Sequence, residues 1–138
     1  MSLSVRVIAP DKTVWDGSAE EVILPSITGQ IGILSGHAPL LTALDTGVMR
    51  VRTNKSWVPV ALFGGFAEVE EDQVTILVNG AQKGEDINAE AAKSKYEAAQ
   101  KQVEAVRGSD NAGEKMQAEQ ALKKARARFQ AANSTAKV

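Results

Sequence analysis

The sequence predicts a two-part chain of β plus α class: an N-terminal antiparallel β-sandwich over residues 1–86, then a C-terminal antiparallel two-helix hairpin over residues 87–138. Three observations carry this prediction. Apolar residues alternate with period two before Asp86, they recur every three or four positions after it, and composition changes at the same place. All four prolines and both tryptophans precede residue 60, whereas the tail is rich in Ala, Lys, Glu and Gln. Through Asp86, eleven Asp and Glu face six Lys and Arg; from Ile87 onward, six face ten. A length of 138 residues suits one compact domain with an appendage.

In the first part, Leu3, Val5 and Val7 share one face, and Val74, Ile76 and Val78 repeat the pattern. "VMRVR" sets Met49 and Val51 opposite Arg50 and Arg52. Turn signals recur at Pro10-Asp11, Asp16-Gly17, Gly29, Gly47, Thr53-Asn54, Glu71-Asp72 and Asn79-Gly80. Many short strands at this spacing predict an antiparallel sandwich or barrel. A parallel nucleotide-binding sheet needs crossovers of about a dozen residues or more, and there is little room for them.

In the second part, Ala89, Ala92, Tyr96, Ala99, Val103 and Val106 form one helical stripe, with Asn88 as N-cap and Gly108 as the stop. After a polar loop, Asn111 and Glu114 form a capping pair, with Gly113 weakening that first turn. A second stripe follows at Ala118, Leu122, Ala125, Phe129 and Ala132. About five linking residues predict that the helices fold back on each other. The stripes are mostly alanine, and an alanine buries one methyl where a buried Leu or Phe contributes about 1.5–3 kcal/mol. Local support comes from Glu97–Lys101 and Glu119–Lys123, i,i+4 pairs worth a few tenths of a kcal/mol each. Helices that are locally favoured but weakly joined suit a segment that detaches.

Composition excludes several functions. With no cysteine, disulfides and thiolate-bound zinc are ruled out. "MSLSVRVIAPDK" lacks the apolar core of a secretory signal, and "WVPVALFGGFA" is too short to span a bilayer. Any membrane association is expected to go through a partner.

The stretch "TGQIGILSGHAPLL" holds the sole histidine. Gly29, Gly32 and Gly36 fit neither a dinucleotide fingerprint nor a P-loop, so turn and packing roles are expected. His37 lacks the nucleophile or orienting carboxylate of a general base, and a lone histidine does not indicate zinc. It reads as a structural or interface residue. Glu68, Glu70, Glu71 and Asp72 lack the EF-hand pattern and read as a solvated edge with a turn. No base, nucleophile and oxyanion set is assembled, so no enzyme, metal or cofactor is expected. "LKKARARF" places Lys123, Lys124, Arg126 and Arg128 around the side of the second helix away from its apolar stripe. Three readings stay open there: a solvated helix face, a surface for an acidic protein, or a nucleic-acid-binding tail on a free-standing sandwich.

Taken together, "LPSITGQIGILSGHAPLLTALDTGVMRV", "VWDG", "ALFGGFAEV", "VTILVNGAQKGEDI" and "LKKARARFQAAN" resemble, in order, the ε subunit family of F-type ATP synthases. "GQIG" and "FGGFA" are most similar to its cyanobacterial and chloroplast type. The resemblance implies a non-catalytic central-stalk subunit that joins the γ subunit to the c-ring and opposes ATP hydrolysis through its helical domain. By position it implies that Gln30 approaches the c-ring, and that His37, Ala38, Leu41 and Thr42 meet γ. Lys123, Lys124, Arg126 and Arg128 would face acidic segments of the α and β subunits when the hairpin extends. Such a complex sits on the cytoplasmic or stromal side of an energy-transducing membrane, here a thylakoid, with the chain peripheral. Some members bind ATP through an Ile/Leu-Asp-x-x-Arg-Ala motif opening the first helix. Here Asn88 replaces the acid and Ala91 the arginine, so tight ATP binding is not expected although Lys124 and Arg128 remain.

Overall fold

The computed structural model describes residues 2–135, with side chains through Asn133; residues 136–138 of the expected hairpin lie outside the described residues. The strands are β1 (Leu3–Ala9), β2 (Lys12–Ala19), β3 (Glu21–Ser26), β4 (Gly29–Leu34), β5 (Leu40–Thr53), β6 (Ser56–Glu70), β7 (Gln73–Val78) and β8 (Ala81–Lys83). A 3₁₀ turn (Gly84–Asp86) leads into α1 (Ala89–Val106) and α2 (Ala112–Thr135).

The strand order is β2-β1-β7-β6-β5-β3-β4, with β8 pairing to β6. The expected antiparallel sheet is in fact mixed, because β1 runs parallel to β7 with Val5 opposite Val74 and Val7 opposite Ile76. Alternation is blind to strand direction: Leu3, Val5 and Val7 turn inward whichever way their neighbour runs. The long chain between β1 and β7 supplies the connection that a parallel pair requires.

The two longest strands make the corner of the sandwich. On β6, Val60 and Leu62 face inward, and then Ala67 and Val69 do, so the inward face changes parity between them. Gly64 and Gly65 lie at this point with φ of 81° and 152°. A Cβ on Gly65 would overlap the Leu77 carbonyl oxygen, so "FGGFA" is a backbone bend that only glycine permits. Asp16-Gly17 and Gly47 are not turns, as the spacing suggests, but lie inside β2 and β5.

The largest fully buried side chains, among them Leu3, Leu24, Ile33, Met49, Leu62 and Ile76, all belong to the sandwich. The sandwich therefore carries its own core, each such side chain contributing about 1.5–3 kcal/mol.

The hairpin starts where expected. Asn88 Oδ1 accepts the Ala91 amide at 2.9 Å, and Asn111 Oδ1 accepts the Glu114 amide at 3.1 Å. Gly108 does not supply a left-handed stop: α1 ends at Val106, and Arg107 keeps right-handed angles. Tyr96 stacks on Phe129 with ring centroids 5.1 Å apart. Ala92, Val106, Ala118, Ala125 and Ala132 are buried, so the two alanine-rich stripes meet.

Helix α1 packs on α2, and α2 in turn lies across β5 and β6. That second contact uses a face the stripe analysis does not show. Ala127 and Ala131 are buried with Val48 and Ala61, flanked by Phe63 and Ile87. At Gly84 the helix backbone comes so close that a Cβ would meet the Ala131 carbonyl oxygen and lie 2.9 Å from Pro59 Cγ.

Candidate functional site

Three surfaces hold the residues singled out in the sequence. The first joins the loop after β4 to the start of β5. Gly36 has φ of 87°, and the His37 amide donates to the Leu34 carbonyl at 3.2 Å. His37 Nδ1 lies 2.7 Å from the carbonyl oxygen of Ala38. Past the loop, Leu41 is 71% exposed. The Thr42 hydroxyl lies 3.0 Å from Ser26 Oγ, which itself lies 3.1 Å from the Thr28 hydroxyl. His37, Ala38 and Leu41 lie on the loop and the strand start, whereas the Thr42 side chain points to the other face of β5, against Ser26.

An apolar row extends that region across the outer face of the sheet. Register sets Ala43 opposite Phe66, Phe66 opposite Leu77, and Leu77 opposite Ile8. The Ile27 amide donates to the Ala43 carbonyl at 3.2 Å, and its exposed side chain stands at the other end. Phe66 and Leu77 are 58% and 52% exposed, which is high for such side chains. Contiguous exposed apolar groups of this kind mark interaction surfaces. In the sequence this row leaves one signal, Leu77, which is apolar at an outward position of an alternating strand.

A carboxylate clamps the loop. Asp72 Oδ2 accepts from Ser35 Oγ at 2.8 Å, and Oδ1 accepts from the Gly36 amide at 2.7 Å. The Gly36 amide bond, then the Ser35 hydroxyl bond, hold the Asp72 carboxyl below the usual carboxylate range. The sequence places Asp72 in a solvated turn; it sits in that turn, but its carboxylate is engaged. A lowered folded pKa adds stability that is complete above the unfolded value, about 3.9, and is lost as pH falls through the folded value. Thermal unfolding of Asp72→Ala should therefore trail the parent protein at neutral pH, and the gap should close as pH falls through the lowered folded value of Asp72. A gap that is unchanged in acid would show that the carboxylate charge is not what stabilises the turn.

The second surface concerns Gln30. It lies on β4, opposite Pro25, and is exposed. It lines a groove with Arg50 and with Phe129, Gln130 and Asn133 of α2. Gln30 thus stands beside the docked hairpin.

The third surface is the basic stretch of α2. The side away from the α1 stripe is not simply solvated, because the sandwich lies against it. Lys123 Nζ is 3.5 Å from Asp45 Oδ1 on β5, rather than paired within the helix to Glu119. Arg128 Nε donates to Gln82 Oε1 at 3.2 Å, and its guanidinium carbon lies 4.6 Å from the Phe63 ring centroid. Lys124 is exposed and borders the cleft between α2 and the sandwich; Arg126 is exposed. Stacking of Arg128 is worth about 0.5–2 kcal/mol and the exposed ion pair about 0–1 kcal/mol. At the start of α1, the Asn88 side chain is spent on the cap and Ala91 carries no charge.

Among the described residues no group of three His, Asp or Glu is placed to hold a metal ion, and no helix is long and apolar enough to cross a membrane.

Comparison with known proteins accounts for both parts of the chain. Residues 2–84 match the family model for the ATP synthase delta/epsilon chain β-sandwich domain, and residues 85–133 match that for its long α-helix domain. The ATP synthase epsilon chain of Trichodesmium erythraeum is 64% identical over 132 residues, which cover 96% of each chain. That of a Cyanothece species is 62% identical over 138 residues, spanning both chains fully. A chain of the Euglena gracilis mitochondrial ATP synthase superposes with a TM-score of 0.80 at 21% identity, covering 96% of this chain and 81% of that one. A chain of the Tetrahymena thermophila mitochondrial ATP synthase central stalk and c-ring gives 0.62 at 14%, covering 96% and 97%.

Proposed function

The chain belongs to the ATP synthase delta/epsilon-chain family, and from that premise we propose that it is a non-catalytic subunit of the central stalk. The sandwich, residues 1–86, is the adaptor between the γ subunit and the c-ring. The hairpin, residues 87–138, is a mobile brake on ATP hydrolysis. The chain is peripheral, held to an energy-transducing membrane, the thylakoid in a cyanobacterial setting, through the complex.

The observation that carries the adaptor reading is the apolar row from Ile8 to Ala43 beside His37, Ala38, Leu41 and Thr42. Phe66 and Leu77 at its middle and Ile27 and Leu41 beside it are exposed, and a protein surface with apolar groups at its centre is the natural cover for them. In this reading the row and the loop face γ, and Gln30 faces the polar loops of the c-ring.

The brake reading draws support from how α2 is held. Its buried contact with the sandwich rests on Ala127 and Ala131, and each buried methyl contributes about 0.8 kcal/mol. Lys123 and Arg128 are spent on Asp45, Gln82 and Phe63 while the hairpin is docked. When it leaves, they join Lys124 and Arg126 as a basic face for acidic segments of the α and β subunits. Docking on the sandwich and braking thus exclude each other. With Asn88 and Ala91 in place of the ATP-binding acid and arginine, tight nucleotide binding is not part of this account. The nucleic-acid reading loses its main support, because two of its four cations are turned to the sandwich.

Copurification tests the adaptor role. The chain should form a stable complex with a γ-containing catalytic head and show no strongly salt-dependent binding to duplex DNA or RNA. Failure to copurify with γ, or tight salt-sensitive binding to duplex, would overturn it.

A further inference from the structure

We propose that Asp72 is a positioning residue for partner binding: it holds the loop at residues 35–38 in its docking shape before the partner arrives. This rests on the reading that the loop faces the γ subunit.

The loop has few other restraints. Its remaining hydrogen bonds run from the His37 amide to Leu34 and between His37 Nδ1 and Ala38, all within the same short stretch. Among the described residues, the hydrogen bonds that tie the loop to a distant segment are those from Ser35 and Gly36 to the Asp72 carboxylate. They are short, charge-assisted and made by both oxygens, so they fix the loop's direction as well as its position.

The carboxylate is itself presented from a firm support. Asp72 ends a two-residue turn between Glu70 and Gln73, which pair across β6 and β7. Both turn residues, Glu71 and Asp72, have positive φ, 49° and 62°, where Asn-Gly or Asp-Gly is the usual choice. The Asp72 carbonyl accepts the Ser4 amide at 2.8 Å, which pins the turn to β1. A turn held in this conformation without glycine is consistent with the fixed placement of its aspartate. Its carboxyl, held below the usual range, stays ionised and accepting throughout the physiological range.

The consequence is energetic. A free loop loses backbone freedom when it docks, and that loss subtracts from affinity. With Asp72 in place the loss has been met during folding. Removing the carboxylate should therefore weaken association far more than it lowers stability.

The test uses the full chain and a γ-containing catalytic head. In free Asp72→Ala, exchange of the Gly36 and His37 amides should accelerate while amides of the sandwich core stay protected. Affinity for the head should fall about tenfold, the effect of about 1.4 kcal/mol. Ser35→Ala keeps the Gly36 bond and should lose less. Asp72→Asn, which retains one acceptor oxygen, should recover part of the affinity, a rescue that a merely structural defect would not show. Unchanged amide exchange overturns the proposal. So does wild-type affinity in Asp72→Ala while Leu41→Lys/Phe66→Lys, which strips the apolar row, fails to bind. If the stripped variant also binds normally, the γ-facing reading has failed and the proposal falls with it.

Discussion

Replacing Leu41 and Phe66 together by lysine should abolish stable association with the γ-containing head and leave the free chain folded. Both side chains are mostly exposed, so the folded chain loses little contact when they change. Leu41 lies opposite Glu68, so a lysine there gains an opposite charge across the strands. In a closed interface the same two side chains would each bury apolar area worth about 1.5–3 kcal/mol, and lysine would have to be desolvated instead. An affinity loss on the order of 100- to 1,000-fold follows. Met116 provides the control, being equally exposed but on α2, away from the row. Met116→Lys should bind as the parent does. Equal binding by all three proteins in a titration would remove the row from the interface.

The second large effect is expected at Gly84. Alanine there places a methyl against the Ala131 carbonyl and Pro59, where neither the helix backbone nor the proline ring has room. Overpacking of this kind costs about 1–3 kcal/mol. The docking contact has little to set against it: two buried alanines flanked by Phe63 and Ile87, one arginine stacked on Phe63 and bonded to Gln82, and one exposed ion pair. Gly84→Ala should therefore shift the hairpin toward release by about one to two orders of magnitude. Hydrogen exchange would show α2 losing protection while Val5, Val51 and Ile76 retain theirs. The reconstituted enzyme carrying Gly84→Ala should hydrolyse ATP more slowly, because the hairpin leaves the sandwich, and is free to brake, more often. Uniform loss of protection across sandwich and hairpin would instead mean that the two fold as one unit, and the hairpin could not act separately.

Much of the fold was legible because backbone chemistry wrote it locally. Asn88 and Asn111 announce helix starts through caps three residues long, and Val74, Ile76 and Val78 announce a buried face by simple alternation. What escaped depends on pairing between distant segments. The parallel partner of β1 lies some seventy positions along the chain. Asp72 finds Ser35 and Gly36 from the far side of β5 and β6. Ala127 and Ala131 hide in a helix where alanine also serves as the neutral filler, so a second apolar face has no contrast to reveal it.

The site residues divide in the same way. The stretch from His37 to Thr42 is compact in sequence and stays compact in space. The row that completes it assembles Ile8, Ala43, Phe66 and Leu77 from four strands. Lys123 and Arg128 look like surface charges because a helical wheel records only the helix; their partners Asp45, Gln82 and Phe63 belong to the sandwich.

In the proposed function the sandwich couples and the hairpin brakes. ATP hydrolysis by a γ-containing catalytic head, reconstituted with the full chain or with a chain ending at Asp86, tests it most directly. The sandwich has a core of its own, so the shortened chain should assemble with γ as well as the full one does, yet inhibit hydrolysis less. Equal inhibition by the two chains, with equal assembly, would contradict the account.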